Sequence, residues 1–412
     1  MSQKILKQIR NEWRSNVWLC VELLIVSVVL WYVTDFLVAS YTISSRPLGF
    51  DVEHCYKLTF DQVSETSPEY VPYDDEGQAA VRDLQQLLER LERRPEIEAV
   101  CVSANSHPYT GSNSGGAVTV DTLKASGYNI FRYVQPDFMR VFRYEGLNGE
   151  TPEELAEMLR QGKTLISANI LEEHDIKDPS GFIGKRVYLY EDTLWSLTVG
   201  AVIKPVRYHD YMQGQMNRTV VIPDVIWQDW TIRVRENMDK DIVEKLMADA
   251  ETQFRVGNYY LANVEPFSRL RDNILRSEHT AQRNQLTIMA FLLVNIFLGM
   301  LGTFWFRTQQ RVPDLAVRMV SGATRRQIFR LLTGEGLLLL TIMTPIALAI
   351  DLNLAHLELN TYLEPHGYFS WTHVLLCGGI AYGLMAIMIV AGIAVPASRA
   401  MRIAPAEALR DE

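Results

Sequence analysis

The chain has 412 residues, and its 40 Lys and Arg against 49 Asp and Glu give a net charge of −9. That balance argues against a general nucleic-acid binder. Its four cysteines contain no C-x-x-C, which excludes an obvious zinc ribbon or dithiol redox motif. The 48% hydrophobic content averages two unlike parts, because apolar runs of membrane-spanning length stand at Val17–Ala39, Leu286–Phe306, Leu331–Leu352 and Val374–Pro396.

In chain order, residues 1–16 place Ile5, Ile9 and Trp13 on one helical face, with Lys4, Lys7, Arg10 and Arg14 on the others. This reads as a short amphipathic helix at a membrane interface, or simply as a basic flank that sets topology. The first span, 17–42, is too long for the apolar core of a cleaved signal peptide and reads as a retained signal-anchor. Glu22 lies near its start, where a long side chain reaches the headgroups or packs against another span. A charge at mid-bilayer would cost about 2.5–3.5 kcal/mol.

Residues 43–266 alternate in type. Strands are predicted at Cys55–Phe60, Ile97–Val102, Ala117–Val120, Asn129–Val134, Thr164–Ser167, Arg186–Tyr190, Leu197–Ile203, Val220–Ile222 and Thr231–Val234. Helices are predicted around Val81–Leu91, at Asp137–Phe142, Glu153–Arg160 and Asp241–Phe254. The segment reads as a two-lobed α+β domain hinged near 135–165. Cys55 and Cys101 fit either a disulfide or two buried strand positions. Ser112–Gly116 reads as a flexible loop that could in principle cradle an anion. Glu172-Glu173-His174-Asp175 reads as a solvated helix face, with divalent-metal contact as the alternative. From Phe267 the pattern becomes helical and polar, and a stalk helix over 267–285 runs into the second span at 286–306.

The loop 307–330 carries Arg307, Arg311, Arg318, Arg325, Arg326 and Arg330, whereas 353–373 has no Lys or Arg. Short basic loops stay cytoplasmic, so both termini, the 307–330 loop and the 397–412 tail are predicted inside. The 43–266 domain is then outside. Within 307–330, Pro313 can open a short helix, Gly322 can close it, and Thr324 with Gln327 forms a capping box for the next helix. Two helices joined by a tight break make an elbow suited to receiving a push, or a plain topology-setting loop. The third span, 331–352, contains Glu335 near its basic-flanked end and Pro345, which should kink it. The fourth, 374–396, carries Gly379-x-x-x-Gly383, which permits close helix approach. Apart from Glu22 and Glu335 near their cytoplasmic ends, the spans read as free of acidic and basic side chains, and a polar conduit through the bilayer is disfavoured.

The run Arg311, Asp314, Leu315, Val317, Arg318, Gly322 and Ala323, the closing Pro405-Ala406-Glu407-Ala408-Leu409-Arg410, and the Val134–Phe138, Leu165–Ser167, Ile183–Lys185 and Val199–Lys204 segments resemble motifs of the FtsX/MacB family of ABC-transporter permeases. Asp314 stands where that family usually has Glu, and the likeness is weak over 43–130. The resemblance implies a MacB-like periplasmic core domain and an FtsX-like C-terminal membrane domain. It also implies that Pro313, Asp314, Leu315, Val317, Arg318 and Gly322 form a coupling helix that docks on a separate cytoplasmic ATPase. ATP and Mg would be bound by that partner, since no G-x-x-x-x-G-K-[ST] occurs here and the chain itself is expected not to be an enzyme. It implies a multi-pass protein of the bacterial inner membrane that pairs with a second permease chain, identical or homologous. A periplasmic adaptor and outer-membrane channel fit an efflux role. Export by mechanotransmission is the leading functional expectation. Lipoprotein release and FtsX-like regulation of a cell-wall hydrolase are the alternatives.

Overall fold

A computed structural model describes residues 13–73, 77–176, 178–190, 196–212, 217–224, 227–310, 312–357 and 371–400. Most of the amphipathic segment 1–16, most of the 353–373 loop, Arg311 and the closing Pro405–Arg410 motif lie outside these residues. The chain divides into two units, Met1–Ile43 with His279–Glu412, and Ser44–Glu278.

The first unit is helical. Among the described residues, four helices are long and apolar enough to cross a membrane: α1 (Trp13–Ser44), α8 (Arg276–Gln310), α10 (Arg325–His356) and α11 (Trp371–Ala400). The short α9 (Val312–Val320) joins α8 to α10. Leu19, Leu23, Leu30 and Trp31 of α1 share one core with Leu339 and Leu340 of α10 and with Cys377, Met385 and Ile389 of α11. Helix α10 runs through Pro345 to His356.

The second unit is built on eleven strands: β1 (Cys55–Gln62), β2 (Ile97–Ala104), β3 (Ser114–Val120), β4 (Leu123–Val134), β5 (Thr164–Ser167), β6 (Arg186–Leu189), β7 (Ser196–Ile203), β8 (Thr219–Pro223), β9 (Asp229–Val234), β10 (Arg255–Val256) and β11 (Tyr259–Pro266). They lie in the order β10-β11-β1-β9-β2-β4-β3-β6-β7-β5-β8, and β8 also pairs in parallel with β4. That last pairing closes β4-β3-β6-β7-β5-β8 into a six-stranded barrel. The other five strands form an antiparallel sheet.

The period-2 alternation of strands decides which side chain enters which core. Leu58, Val100, Val102, Trp230 and Ile232 face α2 (Gln78–Glu92) and α6 (Ile242–Ala248). The alternate residues Cys55, Ala99 and Cys101 face a second core shared with α3 (Phe138–Val141), α4 (Pro152–Arg160) and α7 (Phe267–Ile274). The barrel interior holds Val118, Phe131, Ile166, Val187, Val199 and Val220, while its Leu165, Ala201, Ile203 and Val221 turn outward into the shared core.

Several expectations change here. The segment 135–165 is no open hinge: Phe138, Met139, Val141, Phe142, Tyr144 and Leu155 are fully buried in the shared core. Close packing of that kind resists shear between the lobes. Helix α6 ends at Ala248, where the Asp249 carbonyl accepts turn hydrogen bonds from Gln253 and Phe254. Phe254 still enters the core. The stalk is interrupted at Leu275, which separates α7 from α8. Ser114–Gly116, read as part of a loop, belongs to β3, and a side chain at Gly115 would strike the Asn129 carbonyl of β4. Cys55 and Cys101 are both unbridged. They sit opposite Arg233 and Thr231 on the two flanks of β9. Two strand spacings, about 9–10 Å, exceed the reach of a disulfide. Burial pushes the Cys55 thiol up to about 12 and the Cys101 thiol higher, so neither is a reactive nucleophile.

Candidate functional site

The elbow between α9 and α10 is set by local backbone chemistry. Gly322 has φ +94°, the left-handed conformation that a residue with a Cβ adopts at a cost. Its amide donates to the Met319 carbonyl at 3.0 Å, and that of Ala323 to the Arg318 carbonyl at 2.9 Å. This pair of bonds is the Schellman closure of α9. One residue on, the Thr324 hydroxyl accepts from the Gln327 amide at 3.3 Å, and the Gln327 side chain accepts from the Thr324 amide at 2.8 Å. That capping box starts α10. The turn is therefore rigid on both sides.

Leu315 and Ile328 are buried in the helical core and anchor the elbow. Val317 (53% exposed) and Val320 (66% exposed) point outward, beside the exposed Arg318, Arg325 and Arg326. An apolar pair ringed by cations is a compact docking knob for a groove with acidic walls. Of the residues expected to contact an ATPase, Val317, Arg318 and Gly322 lie on this surface, whereas Leu315 turns inward. Pro313 and Asp314 fall in the first turn of α9, and their side chains lie outside the described residues. Gly379 and Gly383 have open space where a Cβ would stand, while the neighbouring Gly378 approaches Leu348 of α10. Within this chain the contact falls one residue away from the G-x-x-x-G pair.

In the external unit, one segment grips both chain ends that lead to spans. The Arg207 amide donates to the Leu48 carbonyl at 3.0 Å, and its Nη1 to the Arg46 carbonyl at 3.1 Å. Three residues on, the buried Asp210 carboxylate accepts from Tyr109 Oη at 2.9 Å and from Arg271 Nε of α7 at 3.3 Å. Helix α7 is also pinned by Phe267, whose ring meets Phe142 edge-on at 5.3 Å and His107 at 5.6 Å. Sequence reasoning did not find this joint, because its members are far apart in the chain.

His107 sits in that joint as a neutral imidazole. Its Nδ1 donates to the Pro108 carbonyl at 2.8 Å, and Nε2 accepts from the Lys57 ammonium at 3.1 Å. Burial pushes its pKa down to about 4, partly opposed by the Asp229 carboxylate, against about 6.5 in an unfolded chain. Between these values the unfolded state binds a proton that the folded state refuses. Stability is therefore present above pH 6.5 and falls as pH drops towards 4, by about 1.4 kcal/mol per unit. Urea titrations of the full chain between pH 7 and pH 5 should show that slope, and His107→Gln should flatten it.

The helical unit corrects the reading of its charges. Glu22 does not simply snorkel, since its Oε2 accepts from Thr303 Oγ1 of α8 at 3.5 Å. The spans are not otherwise free of acids: Asp35 lies inside the first and Asp351 inside the third, and both are buried. The expected metal alternative at Glu172–Asp175 also fails. Glu173 pairs with Arg218 at 3.0 Å, and His174 Nε2 lies 3.1 Å from the Lys124 carbonyl.

Four apolar helices and a large mixed α/β unit inserted after the first of them define a multi-span membrane protein with a large extramembrane domain. Residues 286–405, elbow included, match the family described as FtsX-like permease C-terminal. Matching solved structures include the periplasmic region of MacB from Actinobacillus actinomycetemcomitans, at 11% identity over 58% of this chain and 98% of that one, with a TM-score of 0.30. Another is the extracellular domain of the noncanonic ABC-type transporter YknZ from Gram-positive bacteria, at 12% identity over 51% of this chain and 100% of that one, with a TM-score of 0.29. No curated protein matches the chain.

Proposed function

We propose that the chain is the permease subunit of an ABC transporter and converts ATP hydrolysis by a separate cytoplasmic ATPase into motion of its periplasmic domain. The observation that carries this reading is the FtsX-like domain with its rigid, cation-ringed elbow, capped at both ends and anchored by Leu315. Pro313–Gly322 would receive the push. The 46–51 and 267–275 segments, gripped together by Arg207 and Asp210, would carry it into the external domain. Two permease chains, identical or homologous, would sit on two ATPase subunits in the bacterial inner membrane with termini inside. The exposed apolar side of α8 and the open Gly379–Gly383 stripe are surfaces for the second chain or for lipid. Export of a periplasmic or membrane-embedded substrate is the output this arrangement serves best, with an adaptor and outer-membrane channel completing the path.

A C-terminally tagged chain, solubilised from membranes, should co-purify with a nucleotide-binding subunit, and the eluate should hydrolyse ATP. Isolation of the chain alone, with no nucleotide-binding subunit in the eluate under mild detergent or cross-linking, would sink the reading.

A further inference from the structure

Two of the buried acids that interrupt the spans, Asp35 and Asp351, lie near each other in the helical unit. Asp35 of α1 is fully buried, and its Oδ1 lies 2.7 Å from Nε2 of His373, in the first turn of α11. One helical turn further along α11, Cys377 sets its Sγ 3.6 Å from the same nitrogen. The i, i+4 spacing puts both donors on one face of the helix. One donor atom from each of the three residues lies within 4.8 Å of the others. Asp351 of α10, only 1% exposed, is within electrostatic reach of Asp35, and its Oδ1 has no hydrogen-bond partner among the described residues.

Donor chemistry selects the ligand. Oxygen, nitrogen and sulfur donors together suit a borderline ion, whereas magnesium or calcium would demand oxygen alone. In a tetrahedral site with zinc-like bond lengths, donor atoms stand about 3.3–3.8 Å apart. The Nε2–Sγ distance already meets that spacing. The Oδ1–Nε2 hydrogen bond would open by roughly half an ångström on loading, with the ring proton moving to Nδ1.

We infer that Asp35, His373 and Cys377 form a site for a divalent transition-metal ion of the zinc class, which clasps α1 to α11, with Asp351 of α10 as an outer carboxylate beside it. The helix so clasped is the one that continues into the external unit, so the ion would hold the first span to the fourth. This assignment is independent of the permease reading, and neither stands or falls with the other.

Cobalt titration of the purified full chain tests it. The wild type should bind one cobalt per chain, with a thiolate-to-cobalt charge-transfer band and a tetrahedral d–d envelope, both displaced by zinc. Cys377→Ser should remove the charge-transfer band, and Asp351→Asn should weaken binding at least about tenfold. Zinc should raise the thermal midpoint of the wild type and leave that of His373→Ala unmoved. A wild type without a charge-transfer band, a band undiminished in Cys377→Ser, or a wild-type midpoint indifferent to zinc would each overturn the site in favour of a plain hydrogen-bonded Asp–His pair.

Discussion

Arg318→Glu is expected to release the ATPase from the chain, with at least a tenfold fall in co-purified nucleotide-binding subunit. Arg318 is exposed in the last turn of α9, beside Val317 and Val320 at the tip of the elbow. A cation there gains from the partial negative charge of the helix C-terminus, and reversing it costs the helix only about 0.3–1 kcal/mol. Against an acidic partner wall, the same reversal replaces an attraction by a like-charge contact worth several kcal/mol, and each 1.4 kcal/mol is a factor of ten in binding. The two effects differ enough in size to be separated. The variant should keep its expression level and thermal midpoint while losing its partner, and Arg318→Gln should fall between it and the wild type. Asp314→Lys is expected to act in the same direction. Retention of full ATPase binding by a folded Arg318→Glu chain would remove the elbow from the interface.

Phe267→Ala carries the largest expected cost in stability, about 3–5 kcal/mol for loss of a fully buried aromatic side chain. Phe267 opens α7 and fills the shared core against Phe142 and His107. The cavity left behind lies between the two lobes, where Tyr144, Phe138 and Leu155 are already tightly packed and cannot collapse into it cheaply. The variant should therefore show both a lowered urea midpoint and a looser attachment of α7, read as faster proteolysis near Leu275. A shift below about 1 kcal/mol would mean that the joint is not a packed core. Because α7 precedes the second span, ATP hydrolysis in this variant should become uncoupled from output while elbow docking persists.

How far the sequence could be read depends on the range of the interactions concerned. The elbow was legible because a proline, a glycine and a T-x-x-Q box act within a few residues, and the Schellman and capping-box bonds form where they predict. The four spans were legible from length and hydropathy. Strand β11 was missed because a bulge opposite Thr59/Phe60 puts Leu261 and Val264 on one face at a spacing of three, which defeats a period-2 test. The early part of β4 was hidden by its polar residues and Gly127. The shared core was mistaken for a hinge, since its helices α3 and α4 are short and nothing local says that two lobes close over them. Averaged hydropathy passed over Asp35 and Asp351, each set far from the other acid of its span in an apolar run. The partner of Asp35 is 338 residues away, and only the fold brings the two together.

A push delivered at the elbow is expected to move the external domain. Dyes on Glu65→Cys and Ser321→Cys, both exposed positions, would report it by energy transfer in a Cys20→Ser background, the other native cysteines Cys55, Cys101 and Cys377 being buried away from label. In the complex with its ATPase, transfer efficiency should shift between the ADP state and a state trapped with a non-hydrolysable ATP analogue. The shift should vanish when Arg318→Glu is added. An efficiency that is identical in both nucleotide states, in a complex that still hydrolyses ATP, would contradict the claim.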